Sequence, residues 1–266
     1  MAKGVFTLLG TGSSGGVPRV GGDWGVCDPT EPRNRRLRCS ALVQAINGEG
    51  ETNVLIDTSP DLREQLLSAG VGRLDAILYT HDHADQSHGI DDVRPIFIRQ
   101  RKPIPTYLSA ETRSTLTDRF SYCFEGKGGY PSILDLQEEL RPLQPVTISG
   151  AGGDIEFLPL DMEHGRIRCL GFRIGNLAYC NDVNGLPDET LAALQGVDTF
   201  IIDALRYTPH PSHANLEQAL EWIEQVSPRL AVLTNMHVDM DYQTLMRELP
   251  RGVVPGHDGL RLDFII

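Results

Sequence analysis

The chain has 266 residues, of which 40% are hydrophobic and 23% charged, a composition that fits one large folded domain or two small ones. No apolar run reaches bilayer length, and Gly10 and Gly12 interrupt the short apolar start before a secretory core could form, so the expectation is a cytoplasmic protein with no membrane partner. A formal net charge of -12 opposes holding a polyanion, so no stable nucleic-acid partner is expected; a small anionic substrate in a local basic pocket is not excluded.

Residues 5–9 read as the first strand and run into Gly10-Thr11-Gly12-Ser13-Ser14-Gly15, a literal G-x-G-x-x-G. Gly16, Pro18, Gly21 and Gly22 prevent the helix that a dinucleotide site needs, and the P-loop lysine is absent. The glycines are therefore read as tight turns that let backbone approach a site closely. Residues 33–38 form the densest basic run, and Arg35 and Arg36 are candidates for gripping a phosphate, with a solvated loop as the equal alternative.

Residues 54–56 read as a strand closed by Asp57, and residues 60–69 as a helix. Ser59 is its expected cap, Asp61 meets its dipole and Gly70 ends it. Residues 76–79 are another strand, followed by Thr80-His81-Asp82-His83-Ala84-Asp85-Gln86. Two histidines one residue apart can converge on a cation from a strand-end loop, and Asp85 adds a hard oxygen. A solvated histidine-rich loop has the same composition, but its position and spacing favour metal.

Further strands are expected at 155–160, 199–202 and 230–233. Helices are expected at 215–226, with Leu216, Ala219, Leu220 and Ile223 on one stripe, and at 242–249. Turns are read at 126–129 and 150–153. No repeat or linker divides the chain, so residues 1–266 are taken as one α/β domain. Five scattered cysteines, none in a C-x-x-C pair, suit buried thiols better than a disulfide framework.

The strand-end loop resembles the H-x-H-x-D-H signature of the metallo-β-lactamase superfamily. The resemblance extends along almost the whole chain and implies a four-layer αββα sandwich, two mixed sheets flanked by helices. It further implies two divalent ions, Zn or Mn, with His81, His83 and His164 holding one, Asp85 and His237 the other, and Asp182 bridging them. Asp57 would orient the histidine loop through hydrogen bonds. Related sequences often carry a histidine at the Asn235 position, which leaves the register of His237 open by a residue or two. Where the signature ends in a histidine this chain has Gln86, a poor transition-metal ligand that leaves the second site weak or rebuilt; His88 is a substitute to consider.

Leu9-Gly10-Thr11-Gly12 and Gly89-Ile90-Asp91-Asp92-Val93-Arg94 resemble most the phosphodiesterase branch that includes the phosphoribosyl 1,2-cyclic phosphate phosphodiesterase. That branch implies hydrolysis of a small cyclic phosphate or nucleotide-like phosphodiester by a metal-bound hydroxide. Asp85 would help to fix the catalytic geometry, and a histidine in residues 209–215 would act as general acid, His213 first and His210 second, both beside the substrate. Asp203, Arg206 and Tyr207 would support the site from a strand end. Only Cys27 remains of the branch's structural C-x-C-x-x-C, so no structural zinc is expected. Thioester or lactone hydrolysis and a nucleotide-binding module with an impaired second site are the alternatives, and a homodimer stays open.

Overall fold

The computed structural model describes residues 3–266. Six strands come first: β1 (Lys3–Gly10), β2 (Ser40–Ile46), β3 (Glu51–Ile56), β4 (Ala76–Leu78), β5 (Ile104–Tyr107) and β6 (Leu134–Leu136). Seven follow: β7 (Val146–Ile148), β8 (Ile155–His164), β9 (Ile167–Ile174), β10 (Leu177–Cys180), β11 (Thr199–Asp203), β12 (Leu230–Thr234) and β13 (Val253–Pro255). The last strand, β14 (Arg261–Phe264), returns to the edge of the first sheet beside β1.

Two seven-stranded sheets result, ordered β14-β1-β2-β3-β4-β5-β6 and β13-β12-β11-β10-β9-β8-β7. In the first, β14 to β3 pair antiparallel and β3 to β6 parallel. The second repeats that pattern, antiparallel from β7 to β10 and parallel from β10 to β13.

Successive strand residues face opposite sides of a sheet, and here both sides are covered. Along β11, Ile201 joins the core between the sheets, while Phe200 and Ile202 join the core beneath the helices. Sandwiching the strands in this way explains why they read as unbroken apolar runs rather than alternating ones. Between the sheets, Phe6, Val43, Val54 and Leu78 cluster with Phe157, Phe172, Tyr179 and Val232, each such burial contributing about 1.5–3 kcal/mol.

Helices α1 (Leu62–Ser68), α2 (Ala84–Ser87), α3 (Arg94–Gln100), α4 (Ala110–Arg119) and α5 (Ser121–Glu125) accompany the first sheet. Leu62, Ile96, Leu116 and Cys123 bury against its outer face. Helices α6 (Asp188–Ala193), α7 (Leu216–Val226) and α8 (Tyr242–Glu248) accompany the second. The buried face of α7 carries Ala219, Trp222, Ile223 and Val226, with Leu216 and Leu220 half-buried at its margin, so the expected stripe is rotated toward Trp222.

The start of α1 differs from its expected capping. Ser59 Oγ accepts from Asp61 N at 3.2 Å and donates to Gln65 Oε1, so the hydroxyl serves a turn before the helix. The Asp61 carboxylate turns instead to Arg38, accepting from its backbone N at 2.9 Å and pairing with its guanidinium at 2.5 Å. Gly70 closes the helix with φ +67°.

The glycine loop after β1 threads between two other segments. Gly12 N donates to Leu37 O and Met236 N donates to Thr11 O, both at 2.8 Å. A Cβ at Gly10 would stand 2.0 Å from Arg38 O, so only glycine lets the backbones come this close. Among the described residues no helix is long and apolar enough to cross a membrane, and all five cysteines are buried and free.

Candidate metal centre

Three strands end in the same local device. Asp57 after β3, Asp182 after β10 and Asn235 after β12 adopt left-handed backbone, with φ of 62°, 57° and 60°. Asp and Asn tolerate that region better than other side-chain-bearing residues. The turns bring two carboxyl groups and an amide to the same end of the two sheets.

Asp57 acts through Thr80. The Thr80 backbone N and Oγ1 each donate to the Asp57 carboxyl at 2.8 Å. While Asp57 is ionised, Thr80 Oγ1 gives its proton to that carboxylate and can only accept, and it lies 3.0 Å from His81 Nδ1. Nδ1 therefore carries the hydrogen, and Nε2, buried and without a partner, keeps a free lone pair. Burial pushes the Asp57 carboxyl up to about 8.

His164, the last residue of β8, is oriented in the same way. Its Nδ1 lies 2.6 Å from Ser212 O, and a carbonyl only accepts, so Nε2 is the open nitrogen. That atom stands 3.2 Å from His83 Nδ1. The rings of His81, His83 and His164 meet edge-on, with centroids 4.5 to 5.1 Å apart.

Burial, reinforced by neighbouring imidazoles, holds His81 well below the usual histidine range, and burial lowers His164 to about 4. An orphaned buried nitrogen on His81 and an open Nε2 on His164 are what a divalent cation requires, and with His83 the three offer ligand atoms within 4.8 Å of one another. The residues fit one metal.

Around Asp182 the chemistry is different. Oδ2 accepts from Gln86 Nε2 at 2.9 Å and from Asn181 Nδ2 at 2.5 Å, and Oδ1 accepts from Asn235 Nδ2 at 3.2 Å. His213 Nδ1 lies 3.6 Å from Asp182 Oδ1 and 2.9 Å from Asp203 Oδ2. Burial works against charge on His213, but the charge and hydrogen bond of Asp203, with the charge of Asp182, outweigh it and push the imidazole up to about 9. His210 packs against His213 at a tilt, with centroids 5.0 Å apart, and its Nδ1 faces the Ser212 backbone N and Oγ, each at 3.3 Å.

The structure thus brings His81, His83, His164, Asp182, His213 and, through Thr80, Asp57 into one constellation. It does not bring His237 there, which corrects the expected last ligand. The left-handed turn presents Asn235 to Asp182, while two residues on the His237 ring lies between Asp239 Oδ1 at 3.1 Å and the Arg19 guanidinium at 3.3 Å. Asp85 stays at the margin, 3.4 Å from Gln86 Nε2 and outside either cluster of potential ligands. His88 is exposed and packs edge-on against Phe120, away from the cluster.

The two arginine candidates separate. Arg35 is exposed on the wall of a cavity of about 400 Å³ lined also by the glycine loop. Arg36 corrects the expectation: it is 1% exposed, and its guanidinium donates to Met240 O at 2.7 Å and lies 3.3 Å from Asn34 Oδ1. Arg36→Met should lower stability by ~1–3 kcal/mol in denaturant unfolding, by stranding those acceptors, with KM unchanged. A raised KM with unchanged stability would instead return Arg36 to the substrate.

Three contributors carried no functional assignment in the sequence. Thr80, Asn181 and the Ser212 carbonyl orient the ligands, and only their adjacency to His81, Asp182 and His213 could have flagged them.

Residues 52–236 match the family model described as a β-lactamase superfamily domain. A crystal structure of a diphosphatase from the PhnP family superposes with TM-score 0.89 and 36% identity over 99% of this chain and 98% of that one. Zn2+-bound PqqB from Methylobacterium extorquens shares the fold at TM-score 0.70 and 17% identity, over 98% of this chain and all of that one. A curated relative, an octanoyltransferase of Porphyromonas gingivalis, is 35% identical over 256 residues, which cover 95% of this chain and 50% of that protein. The chain therefore spans about half the length of that relative.

Proposed function

The chain belongs to the β-lactamase superfamily and has the metallo-β-lactamase hydrolase fold, and on that premise we propose that it hydrolyses a phosphodiester or diphosphate bond in a small substrate. The observation that carries this reading is the His213–Asp203 pair beside the three-histidine cluster, with His164 and His213 ring centroids 4.6 Å apart. A half-buried imidazole hydrogen-bonded to a carboxylate beside a metal centre suits protonation of a departing oxygen. The likeness to the PhnP-family diphosphatase over nearly the whole chain supports the choice of phosphorus chemistry.

The chain's own residues then have distinct tasks. Asp57 and Thr80 hold His81 in one tautomer, and Ser212 O does the same for His164. A divalent cation bound by His81, His83 and His164 would polarise a phosphoryl oxygen and acidify water. Asp203 takes the Nδ1 hydrogen of His213, so the proton available to the leaving group is the one on Nε2. Arg35 supplies positive charge on the wall of the cavity beside the glycine loop.

Protein loaded with Mn2+ or Zn2+ should hydrolyse nitrophenyl and alkyl phosphodiesters or a diphosphate ester, and leave an octanoyl thioester intact. His213→Ala should slow the alkyl ester about 10²-fold or more and the nitrophenyl ester much less, because an activated leaving group needs no proton. Thioester turnover above that of every phosphate substrate would overturn the reading in favour of acyl chemistry, the direction in which the name of the half-matching relative points.

A further inference from the structure

We propose that this chain holds a single metal ion, at His81, His83 and His164, and that the side-chain amides of Gln86 and Asn235 close off the place around Asp182 where a second would bind. The inference deepens the functional reading and rests on it for the first ion alone, since the number of ions can be measured without any substrate.

A second transition-metal ion needs ligands with basic lone pairs. The two residues on Asp182 that the superfamily resemblance would make histidines are carboxamides, whose nitrogens have no lone pair to give. Both are turned with their NH2 groups toward the carboxylate. Gln86 Nε2 occupies Oδ2 at 2.9 Å and Asn235 Nδ2 occupies Oδ1 at 3.2 Å, while Asn181 adds a further donor at 2.5 Å. Each oxygen of Asp182, a residue only 2% exposed, thus already has an N–H partner. An ion between Asp182 and these amides would have to reverse both of them to present oxygen.

Nothing else nearby supplies the missing nitrogens. His237 is turned to Asp239 and Arg19, and His88 to Phe120. His213 and Asp182 do approach His164 closely enough to suggest a site. However, His164 is committed to the first ion, and His213, whose Nδ1 is held by Asp203 at 2.9 Å, has only Nε2 to offer, the nitrogen that carries the acid proton in the functional reading. Asp85 adds one oxygen at the margin but no nitrogen.

The test is a metal count. The full chain is saturated with Zn2+ or Mn2+, freed of excess by gel filtration, and measured by elemental analysis; the Mn2+ form is also examined by electron paramagnetic resonance. The expected result is one ion per chain with the six-line signal of isolated Mn2+, and near two ions with a spin-coupled signal for the Gln86→His/Asn235→His double variant. Two ions in the wild-type chain would overturn the proposal, as would a folded double variant that still binds one. Should that variant fail to fold, Asn235→His alone is titrated calorimetrically, where a second binding event supports the proposal and its absence counts against it. No ion in the wild-type chain would remove the metal centre itself, whereas one ion without phosphate turnover would remove only the functional reading.

Discussion

Asp203→Asn is expected to move the alkaline limb of the pH–rate profile downward by at least one unit and to cost about 10²-fold in kcat/KM at pH 8. In the metal-free protein His213 is pushed up to about 9, although burial opposes its charge, because Asp203 and Asp182 face it. Removing the Asp203 charge takes away the two largest influences that raise the imidazole and leaves burial opposed only by Asp182 and Asp85, so its value falls. The acid would then lose its proton at lower pH than in the wild type. A cation at the three histidines lowers both values, so the quantity to compare is the shift between wild type and variant. An unchanged limb would mean that His213 does not carry the titrating proton.

The same group sets a stability trend. Its folded value is raised, so its contribution is fully present below about 6.5, the unfolded value, and is lost as pH rises through about 9. Asp203→Asn should flatten that dependence, as read from denaturant midpoints of the metal-free chain between pH 6 and 10.

The second large effect concerns metal retention. His164→Ala should abolish stoichiometric Zn2+ binding, because it removes one of three converging nitrogens and leaves His83 Nδ1 without its 3.2 Å neighbour. Asp57→Ala should weaken binding by about 10–100-fold, the range typical of residues that orient a ligand without touching the ion. It frees Thr80 Oγ1 to rotate and His81 to change tautomer. The order of the two losses, measured by competition with a chromogenic chelator, is the decisive observation. Equal losses would place Asp57 on the ion itself, and no loss in Asp57→Ala would break the relay through Thr80.

Much of the framework was legible in the chain. The runs at 54–56, 76–79, 155–160, 199–202 and 230–233 all fall on observed strands, because strands covered on both faces read as unbroken apolar segments. The antiparallel strands β2, β9 and β10 were not read: Gln44 interrupts the first, Arg168, Gly171 and Arg173 the second, and the third is only four residues long. The capping of α1 was misplaced because Asp61 has a stronger partner in Arg38 than in the helix end, and that partner lies 23 residues away.

The site divides along the same line. Residue types and local spacing marked the histidine loop, since a strand end delivers its next residues to one rim of the sheet, and the family resemblance added Asp57, Asp182 and a candidate acid histidine before α7. Sequence also recorded that Gln86 stands where a ligand was expected. Only the tertiary structure decided that Asn235 rather than His237 faces Asp182, because a single left-handed residue after β12 sets which side chain turns inward. It likewise buried Arg36, left Arg35 exposed, and paired His213 with Asp203 across ten residues. Such choices depend on backbone turns and on contacts between distant strands, and spacing along one chain carries no measure of either.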